Sequence, residues 1–199
     1  MNELRCIIIS QPKAGTYLCA NLLQELGLGF EGFHLNENKS HKYKVHEINS
    51  LTSLQITKQA KIIKKPLKET LKLIKNNHIA VSHLVYKKET EKILENFKKI
   101  LLVRDYESSI KSWGRWRMAT NRRKDSKNIN KEFRDSIEKW KNRKNIFVLN
   151  FYDMKNINIQ KINELQKFIF QKIVMDSKKI MENALNKPSF TRIDGANNL

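Results

Sequence analysis

The sequence predicts an α/β fold in which helices flank a mostly parallel central sheet. Short runs of consecutive apolar residues alternate along the chain with stretches whose apolar residues recur at helical spacing. Strands that lack polar alternation are typical of parallel sheets, because such sheets are buried on both faces. With 199 residues, of which 40% are hydrophobic, the chain has the length of one domain and enough apolar residues for a core.

Four segments are predicted to be strands because each contains an unbroken apolar run. They are residues 4–10, 79–82, 100–103 and 146–151. Polar residues stand at three of the strand ends, in residues 10–17, 82–83 and 103–105. Since ligands of open α/β sheets bind at the carboxyl ends of the strands, we expect a site where these three ends meet.

Helical spacing of apolar residues predicts the remaining elements. The first helix spans residues 16–26 and is followed by the stop signals Gly27 and Gly29. The others are predicted at residues 66–76, 89–97, 106–113, 131–143, 159–173 and 177–185. Residues 30–60 are polar and weakly patterned, so they are interpreted as an excursion from a single domain over residues 1–199. Residues 111–130 are a second candidate excursion, and both are placed on the substrate side.

The chain is strongly basic. It carries 39 Lys and Arg residues against 20 Asp and Glu residues, a formal net charge of +19. Such a charge suggests a polyanionic partner, which could be nucleic acid, an anionic membrane surface, a nucleotide, or a sulfated or phosphorylated substrate. A bias of the source genome toward Lys, Asn and Ile is an alternative origin of part of the charge.

Composition argues against several classes of protein. No apolar run approaches the ~18 residues of a membrane-spanning helix. The run at residues 6–9 is too short for the core of a signal peptide, so we expect a cytoplasmic protein. Two cysteines, Cys6 and Cys19, do not make a disulfide framework and are predicted to be core thiols. The five histidines form no zinc-binding pattern, so no metal is expected.

A phosphate-binding turn is predicted between the first strand and the first helix. The helix N-terminus offers unpaired N–H groups and the positive end of the helix dipole. Within this loop Lys13 supplies a charge, Gly15 permits close backbone approach, and Thr16 supplies a hydroxyl. Because the lysine precedes the glycine, the loop is not a Walker A sequence, which disfavours an ATPase or simple kinase. A plain strand–turn–helix connection with a surface lysine is the alternative.

Four segments, in order along the chain, resemble motifs of the sulfotransferases that use 3′-phosphoadenosine 5′-phosphosulfate (PAPS). Residues 12–16 (PKAGT) resemble the PKSGT loop for the 5′-phosphosulfate, and residues 81–84 (VSHL) resemble the strand that ends in the catalytic histidine. Residues 102–105 (LVRD), followed by Ser112, resemble the 3′-phosphate-binding segment. Residues 148–155 (VLNFYDMK) resemble the FYEDMK segment. A weaker fifth match, residues 189–192 (SFTR), is similar to the FxRKG segment.

This resemblance implies a three-layer fold like that of the P-loop NTPases and a sulfotransferase activity. A sulfuryl group would pass from PAPS to a hydroxyl or amine of an acceptor, such as a glycan or another small molecule, and PAP would remain. By analogy with phosphoryl transfer, the protein would act mainly by positioning and by stabilising charge on the leaving phosphate, without a metal.

The resemblance assigns the chemistry to Lys13 and His83. Lys13 would stabilise the leaving group, and His83 would be the general base, since an ordinary imidazole titrates near ~6.5. The turn that binds the 5′-phosphate would comprise Lys13, Ala14, Gly15, Thr16 and Tyr17. A capping or half-buried histidine at a strand end is the alternative for His83. The other histidines match no motif and are expected at the surface: His34, His41, His46 and His78.

The resemblance also implies that Arg104 and Ser112 hold the 3′-phosphate, which would distinguish PAPS from ATP. Arginine suits this role because its guanidinium can contact a phosphate through two nitrogens. Eight residues of straight helix span ~12 Å, so the two side chains can share a phosphate only if the chain turns after Arg104. Ser108 and Ser109 are therefore alternatives to Ser112.

Three further residues complete the expected site and its alternatives. Tyr152 would contact the adenine, with a core aromatic as the alternative interpretation. Arg192 would add a second cation at the 3′-phosphate. Asp105 is compatible with a helix N-cap, a role that can coexist with phosphate binding by its neighbour.

Residues 111–144 contain thirteen Lys and Arg residues against four Asp and Glu residues, with tryptophans interleaved. The tryptophans and arginines over 113–124 favour a basic flap over the donor or over an anionic acceptor. A solvated face and a nucleic-acid surface are alternatives. Nucleic acid is disfavoured because no recognised binding module accompanies the stretch. The chain is thus interpreted as a small sulfotransferase. The alternatives are a kinase-like P-loop nucleotide-binding protein and a basic nucleic-acid-binding module.

Overall fold

A computed structural model describes residues 4–43, 60–120 and 127–187, with side chains described except at 116–120 and 127–131. Its strands, in chain order, are β1 (Arg5–Ser10), β2 (Gly29–Leu35), β3 (Ser40–Lys42), β4 (Lys61–Ile63), β5 (His78–Ser82), β6 (Lys98–Val103) and β7 (Ile146–Asn150). Its helices are α1 (Thr16–Glu25), α2 (Leu67–Leu71), α3 (Lys88–Ile93), α4 (Tyr106–Thr120), α5 (Lys127–Lys141), α6 (Phe151–Lys155), α7 (Ile159–Phe170) and α8 (Ser177–Asn186).

The described strands form one seven-stranded sheet in the order β4-β3-β2-β5-β1-β6-β7. β1 lies at its centre and runs parallel to both neighbours, β5 and β6. β2 and β7 extend the parallel part on either side. β3 and β4 add an antiparallel pair at one edge. The predicted α/β fold with a mostly parallel sheet is therefore confirmed.

Helices pack on both faces of the sheet, which gives three layers. Side chains alternate between the faces along each strand. Cys6 and Ile8 of β1 join the core that also contains α1, α7 and α8. Ile7 and Ile9 join a second core on the opposite face, together with residues of α2 and α5. Trp140 is fully buried in this second core, as its position on an apolar helix face predicts.

The largest difference from the predicted elements is β2. Most of residues 29–35 belong to the predicted polar excursion, yet they form a strand of the parallel sheet, paired with β5. The segment was missed because its two glycines and Glu31 break the apolar pattern that marks the other parallel strands. The register between β2 and β5 is irregular between Phe30 and His34, where β2 bulges. Residues 44–59 lie outside the described residues.

Several predicted boundaries also shift. The strand predicted to reach residue 151 ends at Asn150, which caps α6: its Oδ1 accepts the Tyr152 N–H at 2.9 Å, and its own N–H donates to Asp153 at 3.1 Å. A side chain that caps a helix in this way ends the preceding strand. The helix predicted at residues 106–113 continues to Thr120. Within the described ranges, no helix is long and apolar enough to cross a membrane.

Candidate active site

The parallel strands bring three of the predicted site segments together. β1 lies between β5 and β6, so the turn after β1, His83 after β5 and Arg104 after β6 share one edge of the sheet. Tyr152 lies two residues after β7, the next strand along. Hydrogen bonds between these segments, described below, show that they are in contact.

The turn after β1 has the backbone of an anion cradle. Gly15 is the N-cap of α1, with φ 95°, and its carbonyl accepts the Cys19 N–H at 3.1 Å. Among the described residues no side chain caps this helix N-terminus, so its first N–H groups could donate to a bound anion. Ala14 is buried, and its N–H donates to the Gln11 carbonyl at 3.3 Å. The Thr16 hydroxyl is 2.7 Å from that of Ser10, which ties the helix to β1.

Two features of the structure favour glycine at position 15. Its positive φ is one that residues with a side chain adopt at a cost of roughly 1–2 kcal/mol. In addition, a Cβ at this position would lie 2.5 Å from Cδ2 of Phe151. Phe151 thus packs directly against the turn, a contact that the sequence did not reveal.

Gly15→Ala is expected to lower the free energy of unfolding by about 2–5 kcal/mol, from the positive φ and from overpacking against Phe151. Gly27→Ala is the matched control, because Gly27 has φ 89° but nothing within 4 Å of its added Cβ. Urea unfolding of both variants separates the two costs. Equal losses for the two variants would contradict the Phe151 contact.

Lys13 occupies an unusual backbone position. Its φ is 66°, in the left-handed region that non-glycine residues rarely adopt. Burial lowers the pKa of its ammonium group from 10.5 to about 7. Strained backbone and perturbed pKa values are both found more often at functional sites than elsewhere.

His83 is held as a neutral imidazole with a defined tautomer. Its Nδ1 lies 2.9 Å from the Ser10 carbonyl oxygen, which can only accept, so Nδ1 carries the proton. Nε2 is then the nitrogen with the free lone pair. Burial, together with the positive charge of Lys13, lowers the pKa of His83 from 6.5 to about 4. The arrangement leaves a base at the edge of the sheet that is uncharged at neutral pH.

His34 was expected at the surface, and that expectation is wrong. It is half-buried near the end of β2, with its Nδ1 3.1 Å from the Tyr17 hydroxyl. Its ring is 4.7 Å from the His83 ring, centroid to centroid, in an edge-to-face arrangement. Burial and the neighbouring His83 lower its pKa well below 6.5. An isolated histidine in a polar segment gives no sequence signal for such a contact, because the contact depends on β2 pairing with β5.

Arg104 is fixed against the turn. Its Nη1 donates to the Lys13 carbonyl at 3.0 Å, and its guanidinium lies over the Phe151 ring, 4.2 Å from the centroid. Gln11 donates from Nε2 to the Arg104 carbonyl at 3.0 Å and to the Ser109 hydroxyl at 2.7 Å. The Arg104 Nε is buried and has no hydrogen-bond partner among the described residues. A buried cationic donor without a partner is costly, so this atom favours an anionic ligand.

The serines near Arg104 differ in their contacts. Ser109 is buried and bound to Gln11. Ser108 donates its N–H and hydroxyl to Asp105, at 2.7 and 2.6 Å, so Asp105 caps α4 as its sequence position suggested. These bonds lower the pKa of the Asp105 carboxyl. Ser112 is half-buried one helical turn beyond Ser108, on the same face of α4.

Tyr152 joins two of the strand ends. Its hydroxyl donates to Asp105 at 3.0 Å and lies 3.0 Å from the Ser108 hydroxyl. Arg192 lies outside the described residues, as do the side chains of residues 116–131, which include most of the candidate basic flap at 113–124. No cluster of metal-ligating side chains occurs in the part of the chain that the structure describes.

No protein-family model matches the chain, and no curated protein sequence matches it. Solved structures do. Mouse sulfotransferase SULT7A1 complexed with PAP is 19% identical with a TM-score of 0.56, over 92% of this chain and 64% of that one. The sulfotransferase domain from the curacin biosynthetic pathway is 15% identical with a TM-score of 0.55, over 89% and 77%. Retinol dehydratase, in complex with androsterone and inactive cofactor PAP, is 14% identical with a TM-score of 0.56, over 90% and 64%.

The chain therefore spans about two-thirds of the length of two of these structures and about three-quarters of the third. All three superpose on roughly nine-tenths of this chain, and two of them hold PAP. The resemblance found in the sequence motifs is thus matched by the three-dimensional structure. The chain has the fold of the PAPS-dependent sulfotransferases.

Proposed function

We propose that the protein is a PAPS-dependent sulfotransferase that transfers a sulfuryl group to an acceptor hydroxyl or amine. The observation that carries this proposal is the convergence of Lys13, His83 and Arg104 on one edge of the sheet. Each has a matching position in the motifs of the sulfotransferases, and the fold is the one those motifs imply. The proposal treats residues 1–199 as a single catalytic domain.

The residues at the sheet edge suit a donor with two phosphate groups. In the proposed site the N-terminus of α1 and Lys13 bind the 5′-phosphosulfate. The guanidinium of Arg104 binds the 3′-phosphate, which supplies the partner that its buried Nε lacks. Ser112 adds a hydroxyl to the 3′-phosphate, Tyr152 borders the adenine, and Arg192 supplies a second cation.

His83 performs the proton transfer in this proposal. PAPS supplies the sulfuryl group and leaves as PAP. The Nε2 lone pair of His83 takes the proton of the acceptor, because Nδ1 already donates to Ser10. Lys13 neutralises the charge that develops on the leaving phosphate.

Calorimetric titration of the wild-type protein with PAP and with ADP tests the proposed donor. PAP is expected to bind at least tenfold more tightly, because ADP lacks the 3′-phosphate. Tight binding of both nucleotides with no preference for PAP would favour a P-loop nucleotide-binding protein of another kind, and equal, weak binding of both would contradict the proposal and favour nucleic-acid binding. Oligonucleotide binding that falls steeply with salt would favour the nucleic-acid-binding alternative.

PAP binding is expected to take up a proton at Lys13. In the free protein this group has a pKa of about 7, so at pH 8 it is mostly neutral. A bound phosphate raises that pKa, so the group becomes charged and the affinity for PAP rises as pH falls from about 10 to 7. Calorimetry at pH 8 in buffers of different ionisation enthalpy measures the uptake. Lys13→Arg, which stays charged, is the control and should lose this uptake while it still binds PAP.

A further inference from the structure

Phe151 lies between the two halves of the proposed donor site. It is the first residue of α6, directly after the edge strand β7, and it is half-buried. Its ring packs against the turn after β1, where a Cβ added to Gly15 would lie 2.5 Å from Cδ2 of Phe151. A second contact is with the guanidinium of Arg104, 4.2 Å from the ring centroid. The same side chain therefore touches the cradle for the 5′-phosphate and the cation for the 3′-phosphate.

The contact with Arg104 fixes the guanidinium in a particular place. A guanidinium within about 6 Å of a ring centroid is attracted to the face of the ring. Here the attraction acts together with the hydrogen bond from Nη1 to the Lys13 carbonyl at 3.0 Å. Gln11 holds the Arg104 backbone through a further 3.0 Å bond. With these contacts in place, the Arg104 Nε is buried and has no hydrogen-bond partner among the described residues.

Phe151 is not explained by core packing alone. The comparable aromatic is Phe147, which lies in β7, four residues before Phe151. Lys161 lies 4.7 Å from the Phe147 ring centroid, and the Phe168 ring packs against it with the two centroids 5.6 Å apart. That cation and ring lie on α7, whereas the cation over Phe151 belongs to the proposed site. A flexible arginine loses conformational entropy when it binds a ligand, and a group that orders it beforehand reduces that cost.

We infer that Phe151 is a positioning residue that sets the preference of this site for nucleotides with a 3′-phosphate. It orders the Arg104 guanidinium before the nucleotide binds and couples that cation to the turn that binds the 5′-phosphate. The inference rests on the proposed function, because it requires Arg104 to bind the 3′-phosphate. Phe151 itself needs no contact with the ligand.

Calorimetric titrations with PAP and with 5′-AMP, which lacks the 3′-phosphate, test this inference. Phe151→Leu removes the ring and is expected to lower the PAP affinity about tenfold, while the AMP affinity changes less than twofold. Phe151→Tyr keeps the ring and should keep the preference for PAP. Phe147→Leu is the matched control and should change neither affinity more than twofold. Circular dichroism melts identify variants that fail to fold, and Phe151→Met then replaces the leucine variant.

A double-mutant cycle with Arg104→Ala gives the decisive comparison. If Phe151 acts through Arg104, Phe151→Leu has no further effect on PAP affinity in the Arg104→Ala background. Parallel losses for PAP and AMP, or an unchanged PAP affinity, would overturn the inference and leave Phe151 a packing residue. A wild-type protein with no preference for PAP over AMP would overturn the proposed function itself, and the inference with it. The wild-type and variant titrations thus distinguish the two failures.

Discussion

Arg104→Ala is expected to lower the affinity for PAP about a hundredfold and to change the affinity for ADP less than threefold. Each hydrogen bond from a charged group contributes roughly 1.5–3 kcal/mol, so two bonds from a guanidinium to the 3′-phosphate account for a loss of at least this size. ADP has no 3′-phosphate and cannot lose these bonds. Calorimetry on both nucleotides measures the two changes.

Two controls separate local chemistry from the overall charge of +19. Lys172→Ala removes the same charge from an exposed position just beyond the end of α7 and should leave PAP binding within twofold. Arg104→Lys keeps a charge but loses the planar fork, so its affinity should fall between those of wild type and alanine. If Lys172→Ala weakens PAP binding as much as Arg104→Ala, the binding is a general effect of a basic surface.

His83→Ala is expected to reduce the rate of sulfuryl transfer by about 10²–10⁴-fold while PAP still binds. The range is that of general acid–base catalysis by a positioned side chain. The measurement is the formation of PAP from PAPS with an acceptor that the wild-type protein uses in a screen of hydroxyl and amine compounds. His78→Ala, at the opposite end of the same strand, is the control and should retain most of the rate.

The pH profile adds a second signature. Because the pKa of His83 is lowered to about 4, kcat/KM for the acceptor at saturating PAPS should stay level from pH 7 down to about 5 and fall only near pH 4. Saturating PAPS is needed because the 3′-phosphate of the free donor itself titrates near ~6. The sign follows from the role: a base is inactive once it is protonated. Circular dichroism over the same pH range identifies acid unfolding. A fall centred near 6.5 would mean that His83 is exposed to solvent, contrary to its contacts with Ser10 and His34.

Sequence alone could predict the parts of the site that depend on local pattern. The predictions of β1, β5, β6 and the turn at residues 11–15 are confirmed, since a buried parallel strand and a helix start each leave a signal within a few residues. The order of strands in the sheet leaves no such signal. The contact of His34 with His83 therefore could not be predicted, because it requires β2 and β5 to be neighbours.

Contacts between distant side chains were missed for a related reason. The sequence assigns no individual role to Gln11 or Phe151, and the contacts of both with Arg104 depend on the fold, since Gln11 is 93 residues from Arg104. The chemistry of such pairs arises from the fold. Glu31 is an example in which the sequence did not predict the secondary structure. Its charge argued against a strand, yet it lies in β2 and pairs with Lys42 at 3.2 Å and Lys75 at 2.8 Å.

The bulge in β2 has a consequence for how this segment can change in length. Between Phe30 and His34 the strand advances four residues while β5 advances two, from Ile79 to Val81. β2 thus has two extra residues, an even number, so its side chains keep their alternation between the two faces of the sheet. Removal of two residues here would keep His34 level with Val81 on its present face. Removal of one would turn it to the opposite face, so in this segment the parity of an insertion or deletion matters more than its size.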